Sequence, residues 1–153
     1  MKILAFSDTH SYKSCMIAAI ELESPDLILH MGDHDKDCAE IEQKYPQIPL
    51  RCVKGNCDRM SSNKDVDEFT FAGKRFFITH GHQYGVKTGL KDVIKAAYEN
   101  GADILLFGHT HIPYTQKFEN MLIINPGSAG SSSKTYAVLE IKNGDVVFEI
   151  KNG

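Results

Sequence analysis

Short apolar runs and helix-period segments alternate along the first two-thirds of the chain, and polar clusters follow the runs. Lys2 to Phe6 predicts a buried strand, running into Asp8-Thr9-His10. Met16, Ile17 and Ile20 recur at helical spacing over about 13–23, and Ser24-Pro25 stops that helix. Asp26 to His30 predicts a second strand, leading to Gly32-Asp33. Cys38, Ile41 and Tyr45 mark a short helix that ends before Pro46, and Leu50 to Lys54 predicts a third strand, leading to Gly55-Asn56-Cys57-Asp58.

The pattern then changes. Asp67 to Ala72 and Lys74 to Thr79 predict a hairpin about Gly73, whose second strand arrives at His80-Gly81-His82. Leu90, Val93, Ile94, Ala97 and Tyr98 share one face of an amphipathic helix capped by Asn100-Gly101. Ile104 to Phe107 predicts a buried strand that delivers Gly108-His109-Thr110-His111. Strands follow over Tyr114 to Phe118, Met121 to Asn125, Thr135 to Lys142 and Asp145 to Ile150, with Asn143-Gly144 as a hairpin turn.

An α/β pattern followed by an antiparallel stretch allows two architectures: two facing sheets with helices outside, or one mixed sheet with an antiparallel extension. In either, the polar clusters fall just past strand C-terminal ends, where open α/β sheets place ligands. There is no internal repeat or low-complexity linker, so residues 1–153 are expected to form a single domain. Gly127 to Ser133 looks like a flexible loop.

Composition is that of an ordinary globular chain, 42% hydrophobic and 24% charged. No apolar run approaches the roughly 20 residues of a membrane span. The first motif lies too close to Met1 for a cleaved leader, so the expected location is cytoplasmic. Cys15, Cys38, Cys52 and Cys57 show no CxxC pair; they are expected to be free thiols, the first three as small core residues. A net charge of −3 gives no reason to expect long nucleic acid as a partner.

The five clusters concentrate Asp, Asn and His, the oxygen and imidazole donors of divalent metal sites. Residues two apart in extended chain point the same way, which would let Asp8 and His10 grip one ion. Asp33 offers a carboxylate able to bridge two ions about 3.5–4 Å apart. Asn56 adds a neutral carbonyl, His80 comes from its own strand end, and His109 and His111 can face different ions. Two divalent charges, offset by two carboxylates and one hydroxide, leave about one positive charge to attract a phosphate.

The ordered set DxH, GD, GNCD, HGH and GHTH, with Asn125-Pro126-Gly127-Ser128, resembles the calcineurin-like metallophosphoesterases, in particular their small single-domain phosphodiesterase branch of YfcE type. The resemblance implies that Asp8, His10 and His111 hold one metal and Asn56, His80 and His109 a second. Asp33 would bridge them and hold the attacking hydroxide. It implies a four-layer αββα fold, with two mixed sheets packed as a sandwich between helices. The implied cofactors are two divalent ions, manganese first, with Fe, Zn, Co or Ni as alternatives.

Larger members carry His where this chain has Cys57, so the acid for the leaving group is the least determined part. Cys57 and His82 are candidate pocket residues. His30 and His34 are read as structural or surface, Asp35 and Asp37 as helix-start residues, and Arg59 as a solvated loop arginine. The implied activity is hydrolysis of a small phosphodiester or nucleotide-like substrate. The alternatives are a phosphomonoesterase acting on nucleotides or phosphosugars, and a protein-interaction scaffold like the retromer subunit of the same fold. Self-association into a homo-oligomer is left open.

Overall fold

The computed structural model describes residues 1–153. Ten strands form two mixed five-stranded sheets. In the first, β1 (Lys2–Phe6) lies between β2 (Leu27–His30) and β9 (Thr135–Lys142). It pairs parallel to β2 and antiparallel to β9, with β3 (Leu50–Cys52) and β10 (Asp145–Asn152) at the edges. The second sheet runs β4 (Val66–Phe71), β5 (Lys74–Thr79), β6 (Ile104–Leu106), β8 (Met121–Asn125) and β7 (Tyr114–Phe118).

The sheets face each other across an apolar core that includes Ile3, Ala5 and Leu29 from one side and Phe76, Ile78, Leu106 and Ile124 from the other. Helices α1 (Ser14–Glu23) and α2 (Lys36–Lys44) cover the outer face of the first sheet, where Met16, Ala19 and Ile41 meet Leu4, Phe6 and Ile28. Helix α3 (Lys91–Glu99) lays Val93 and Ala97 on Phe77, Leu105 and Ile123 of the second. Of the two architectures the pattern allowed, the four-layer αββα sandwich is the one formed. Strands β1, β2 and β6 carry unbroken apolar runs, Ile3 to Phe6, Leu27 to Leu29 and Ile104 to Leu106, because one set of side chains enters the inter-sheet core and the alternate set meets a helix.

Three expectations are corrected. The third strand ends at Cys52, not Lys54. Cys52 lies on edge strand β3 and is only partly buried, so it is not a core residue. The first part of the loop after β8, residues 127–130, is pinned rather than loose, whereas Ser132 and Ser133 are exposed. Ala129 N–H donates to Ser7 O (3.0 Å), Gly130 N–H donates to Asp8 O (3.1 Å), and Ser128 and Ala129 are fully buried.

Candidate metal centre

The clusters that follow β1, β2, β3, β5 and β6 meet at one edge of the sandwich. Their backbone is unusual: Asp8, His10, Asp33, His109 and His111 all have positive φ, between 46° and 68°. L-residues enter this region at a cost, and such strain persists only where surrounding structure enforces it. Strand alternation therefore does not bring Asp8 and His10 together, as their spacing suggested. β1 has already ended at Phe6, and left-handed kinks aim the two side chains.

The enforcing contacts are close approaches and backbone hydrogen bonds. A Cβ on Gly55 would overlap Asp33 Oδ1, and one on Gly108 would overlap Ser7 Oγ, so only glycine lets these loops touch. Asp58 ties the second cluster to the third. Its carboxylate accepts N–H groups from Asp33 (2.9 Å), His34 (2.8 Å), Asp35 (3.1 Å) and Gly55 (2.8 Å). At the fifth cluster, Asn125 Nδ2 donates to Gly108 O (3.0 Å) and Thr110 Oγ1 (2.9 Å), while the Ser128 hydroxyl donates to Asp8 O (2.9 Å).

Asp58 had no role from sequence alone. The available signal was an Asp three residues after Gly55 in a tight turn, the position from which a carboxylate caps backbone amides.

Two groups of side chains converge. Asp8, His10 and His111 place ligand atoms within 4.8 Å of one another, with His111 Nε2 3.1 Å from Asp8 Oδ1 and 3.5 Å from His10 Nε2. Asp8, Asp33 and His80 form the second group, and His80 Nε2 also lies 3.1 Å from Asn56 Oδ1. The His109 ring packs edge-on to His80 at 5.0 Å. Asp33 and Cys57 sit within the same radius of His10, and Cys57 N–H donates to Asp33 Oδ1 (2.9 Å).

His82 opens a 3₁₀ turn (His82–Tyr84) with its ring 5.4 Å from His80 and 6.1 Å from His109. His30 is buried outside the two groups of the metal centre, and His34 bonds Ser11 Oγ through Nδ1 (2.8 Å).

The donor atoms fit cations. Asp8 is fully buried, and its Oδ2 accepts the Ser7 hydroxyl (2.6 Å) and His109 N–H (3.1 Å). Its Oδ1 accepts no hydrogen bond and faces the Nε2 atoms of His111 (3.1 Å) and His80 (4.0 Å), acceptors gathered as a cation would gather them. His80 spends its Nδ1–H on Met31 O (2.7 Å), which turns the Nε2 lone pair toward Asn56 Oδ1. Burial holds the His80 ring below its ordinary pKa against the pull of Asp8 and Asp33, so it is neutral at pH 7. Two acceptors that face each other this way are reconciled by a shared cation.

His109 is pushed down to about 4, first by burial and then by His80 and Lys87. For Asp33, burial pushes upward, but the Cys57 N–H and the neighbouring histidines outweigh it and hold the carboxyl low. The Cys57 thiol is raised, first by partial removal from water and then by the facing Asp33.

Beside the centre lies a cleft of about 450 Å³, lined among others by His34, Lys36, Cys57, Arg59 and Met60. Its two carboxylates are already engaged: Asp58 by backbone amides, Asp35 by Ser61 and Asn63. Lys36 and Arg59 are exposed at its wall.

The calcineurin-like phosphoesterase superfamily domain model matches residues 1–144. A probable metallophosphoesterase of Bacillus subtilis, YsnB, is 35% identical over 150 residues, covering 94% of this chain and 86% of its own. Phosphodiesterase YfcE of Escherichia coli is 29% identical over 67% of this chain and 59% of its own.

Among solved structures, a predicted phosphoesterase from Streptococcus pneumoniae superposes with a TM-score of 0.82 at 23% identity, covering 99% of this chain and 88% of that one. Wild-type Vps29 from Entamoeba histolytica, complexed with zinc, does so at 0.74 and 22%, covering 99% of each. These two likenesses are of fold. With the family model spanning nearly the whole chain and YsnB above 30% identity, the protein belongs to the calcineurin-like phosphoesterase superfamily, a family of metal-dependent phosphoesterases.

Proposed function

We propose that this protein hydrolyses small phosphodiesters with two divalent ions held between its five loops. The observation that carries the reading is Asp8 Oδ1, buried without a hydrogen bond and facing the Nε2 atoms of His111 and His80 where the two donor groups meet. Asp8, His10 and His111 would hold one ion, and Asn56, His80 and His109 the other. Asp33 would bridge them, its carboxylate held in place by Cys57 N–H at Oδ1 and facing His80 Nε2. When bound, such ions supply a water acidic enough to attack at neutral pH and spread the charge of the phosphate oxygens. Manganese is the first expectation for the ion, with Fe, Zn, Co and Ni compatible with the same donors.

The chain's own residues do the rest. Met31 O and Ser7 fix the His80 ring and the Asp8 carboxylate before substrate arrives, which is the preorganisation such sites need. His111, with 43% of its side chain exposed, closes the solvent side and leaves the approach to the phosphate open. The cleft beside Cys57 is placed to take one arm of the ester, with Lys36 and Arg59 drawing anionic groups toward it. Cys57 stays protonated at neutral pH and is a weak donor to a leaving group, so substrates with good leaving groups are expected to react fastest.

The test is turnover of bis-p-nitrophenyl phosphate and p-nitrophenyl phosphate by one preparation, before and after chelation and with each ion restored. Diester turnover that vanishes with the metal, and falls by at least about 100-fold in Asp33→Asn and His80→Ala, is expected. Full activity after exhaustive chelation would refute it. A preference for the monoester would make the protein a phosphomonoesterase. Protein that purifies without bound metal and stays inert toward every ester with each ion added would favour a scaffold, the alternative raised by its likeness in fold to Vps29.

A further inference from the structure

A second cluster of reactive side chains lies behind the metal centre. Cys38 on α2 and Cys52 on edge strand β3 bring their sulfurs to 3.0 Å, with the Cys38 S–H donating to Cys52 Sγ. His30 Nδ1 stands 3.9 Å from Cys52 Sγ. The three ligand atoms lie within 4.8 Å of one another. We propose that Cys38 and Cys52 are a redox-active dithiol, which a hydroperoxide converts to an intramolecular disulfide.

Geometry favours a disulfide over a soft-metal site. A disulfide needs sulfurs about 2.05 Å apart, an approach of about one ångström from the thiol pair. Two sulfurs sharing a tetrahedral zinc at about 2.3 Å each stand about 3.8 Å apart, so metal would force them outward. His30 Nδ1 is also occupied, because it accepts Gly32 N–H (3.1 Å).

Cys52 is the sulfur suited to attack. It is the more accessible of the two, and the Cys38 S–H holds its thiol below its ordinary pKa against the opposing effect of burial. Cys38, the donor in that pair and buried, is pushed up and stays protonated. Thiolate character with partial access marks the cysteine that oxidants reach first.

The reaction balances. The Cys52 thiolate attacks one peroxide oxygen, the O–O bond breaks, and the departing hydroxide takes up the proton that Cys52 lost, leaving a sulfenic acid. Cys38 sulfur then attacks the Cys52 sulfur, the S–S bond forms and the S–O bond breaks. The departing hydroxide leaves as water with the Cys38 proton. Two thiols give up two electrons and one peroxide becomes two waters.

The consequence reaches the metal loops. His30 Nε2 meets Thr9 Oγ1 (3.2 Å), and that hydroxyl donates to Asp37 Oδ2 (2.6 Å) in the first turn of α2. Asp37 also accepts Ser11 N–H (3.1 Å). The dithiol therefore bears on the residues to either side of His10.

The experiment treats the full chain, as purified, with one equivalent of hydrogen peroxide. Alkylation under denaturing conditions and peptide mass mapping follow. A Cys38–Cys52 cross-linked peptide, reversed by dithiothreitol, is expected, with Cys15 and Cys57 still alkylated. Closing this loop should raise Tm by about 5–10 °C, an increase absent in Cys52→Ser. Free Cys38 and Cys52 beside an oxidised Cys57 would overturn the proposal. So would untreated protein in which bound zinc shields both sulfurs. Both results come from the unmodified chain, so they hold even if Cys52→Ser fails to fold.

Discussion

Asp8 shows at residue scale how this site is built. A fully buried carboxylate uses one oxygen to hold Ser7 and His109 and turns the other, which accepts no hydrogen bond, toward His111 Nε2. Polar satisfaction alone would never select such an arrangement, but cation binding does. The histidines fit the same logic, held neutral by burial so that their lone pairs are available. This makes a pH prediction for the metal-free protein. His109 titrates near 4 when folded, against about 6.5 when unfolded. Between those values the unfolded chain binds the extra proton, so this contribution to stability is complete above about 6.5 and is lost as pH falls toward 4. Asp33, also held low, adds a loss in the same direction below its ordinary value of 3.8. Thermal melts of chelated protein from pH 7 to 4 should show Tm falling more steeply in the parent than in His109→Gln; parallel slopes would contradict the assignment.

At the scale of elements, the strands act as arms of fixed length that deliver short, strained loops to a common edge. The sequence shows the arms clearly, because runs such as Ile3-Leu4-Ala5-Phe6 and Ile104-Leu105-Leu106 are too apolar to lie on a surface. What joins the loops to one another is not visible in any local pattern. Asp58 reaches back to amides at 33–35, so one carboxylate fixes the relative position of the second and third clusters. Asp58→Ala should leave four buried or half-buried N–H groups without that acceptor and cost about 2–4 kcal/mol in denaturant unfolding. It should also weaken metal binding by about 10–100-fold. A loss of stability with unchanged metal affinity would show that the carboxylate supports the fold but not the site.

On the scale of the whole molecule, the rigidity of the centre rests on the inter-sheet core. Leu106 is fully buried in that core one strand away from β5, and both strands end at the site. Truncation to alanine should cost about 2–5 kcal/mol, whereas Val147→Ala on the exposed face of edge strand β10 should stay within about 0.5 kcal/mol. Equal midpoints for the two variants would argue that the sheets are not packed as described. The sequence by itself determined the strands and helices to within a few residues, the family, and the seven metal-ligand candidates, because hydrophobic period and residue chemistry are local properties. The hydrophobic pattern left one sheet or two open and only the motif resemblance implied two; the tertiary structure shows the pairing itself, since β9 inserts beside β1 from more than a hundred residues away and no local pattern encodes it. It alone showed the left-handed backbone that aims the candidate ligands, the role of Asp58, and the approach of Cys38 to Cys52. Each of these comes from atoms that meet across the fold, where spacing along the chain carries no information.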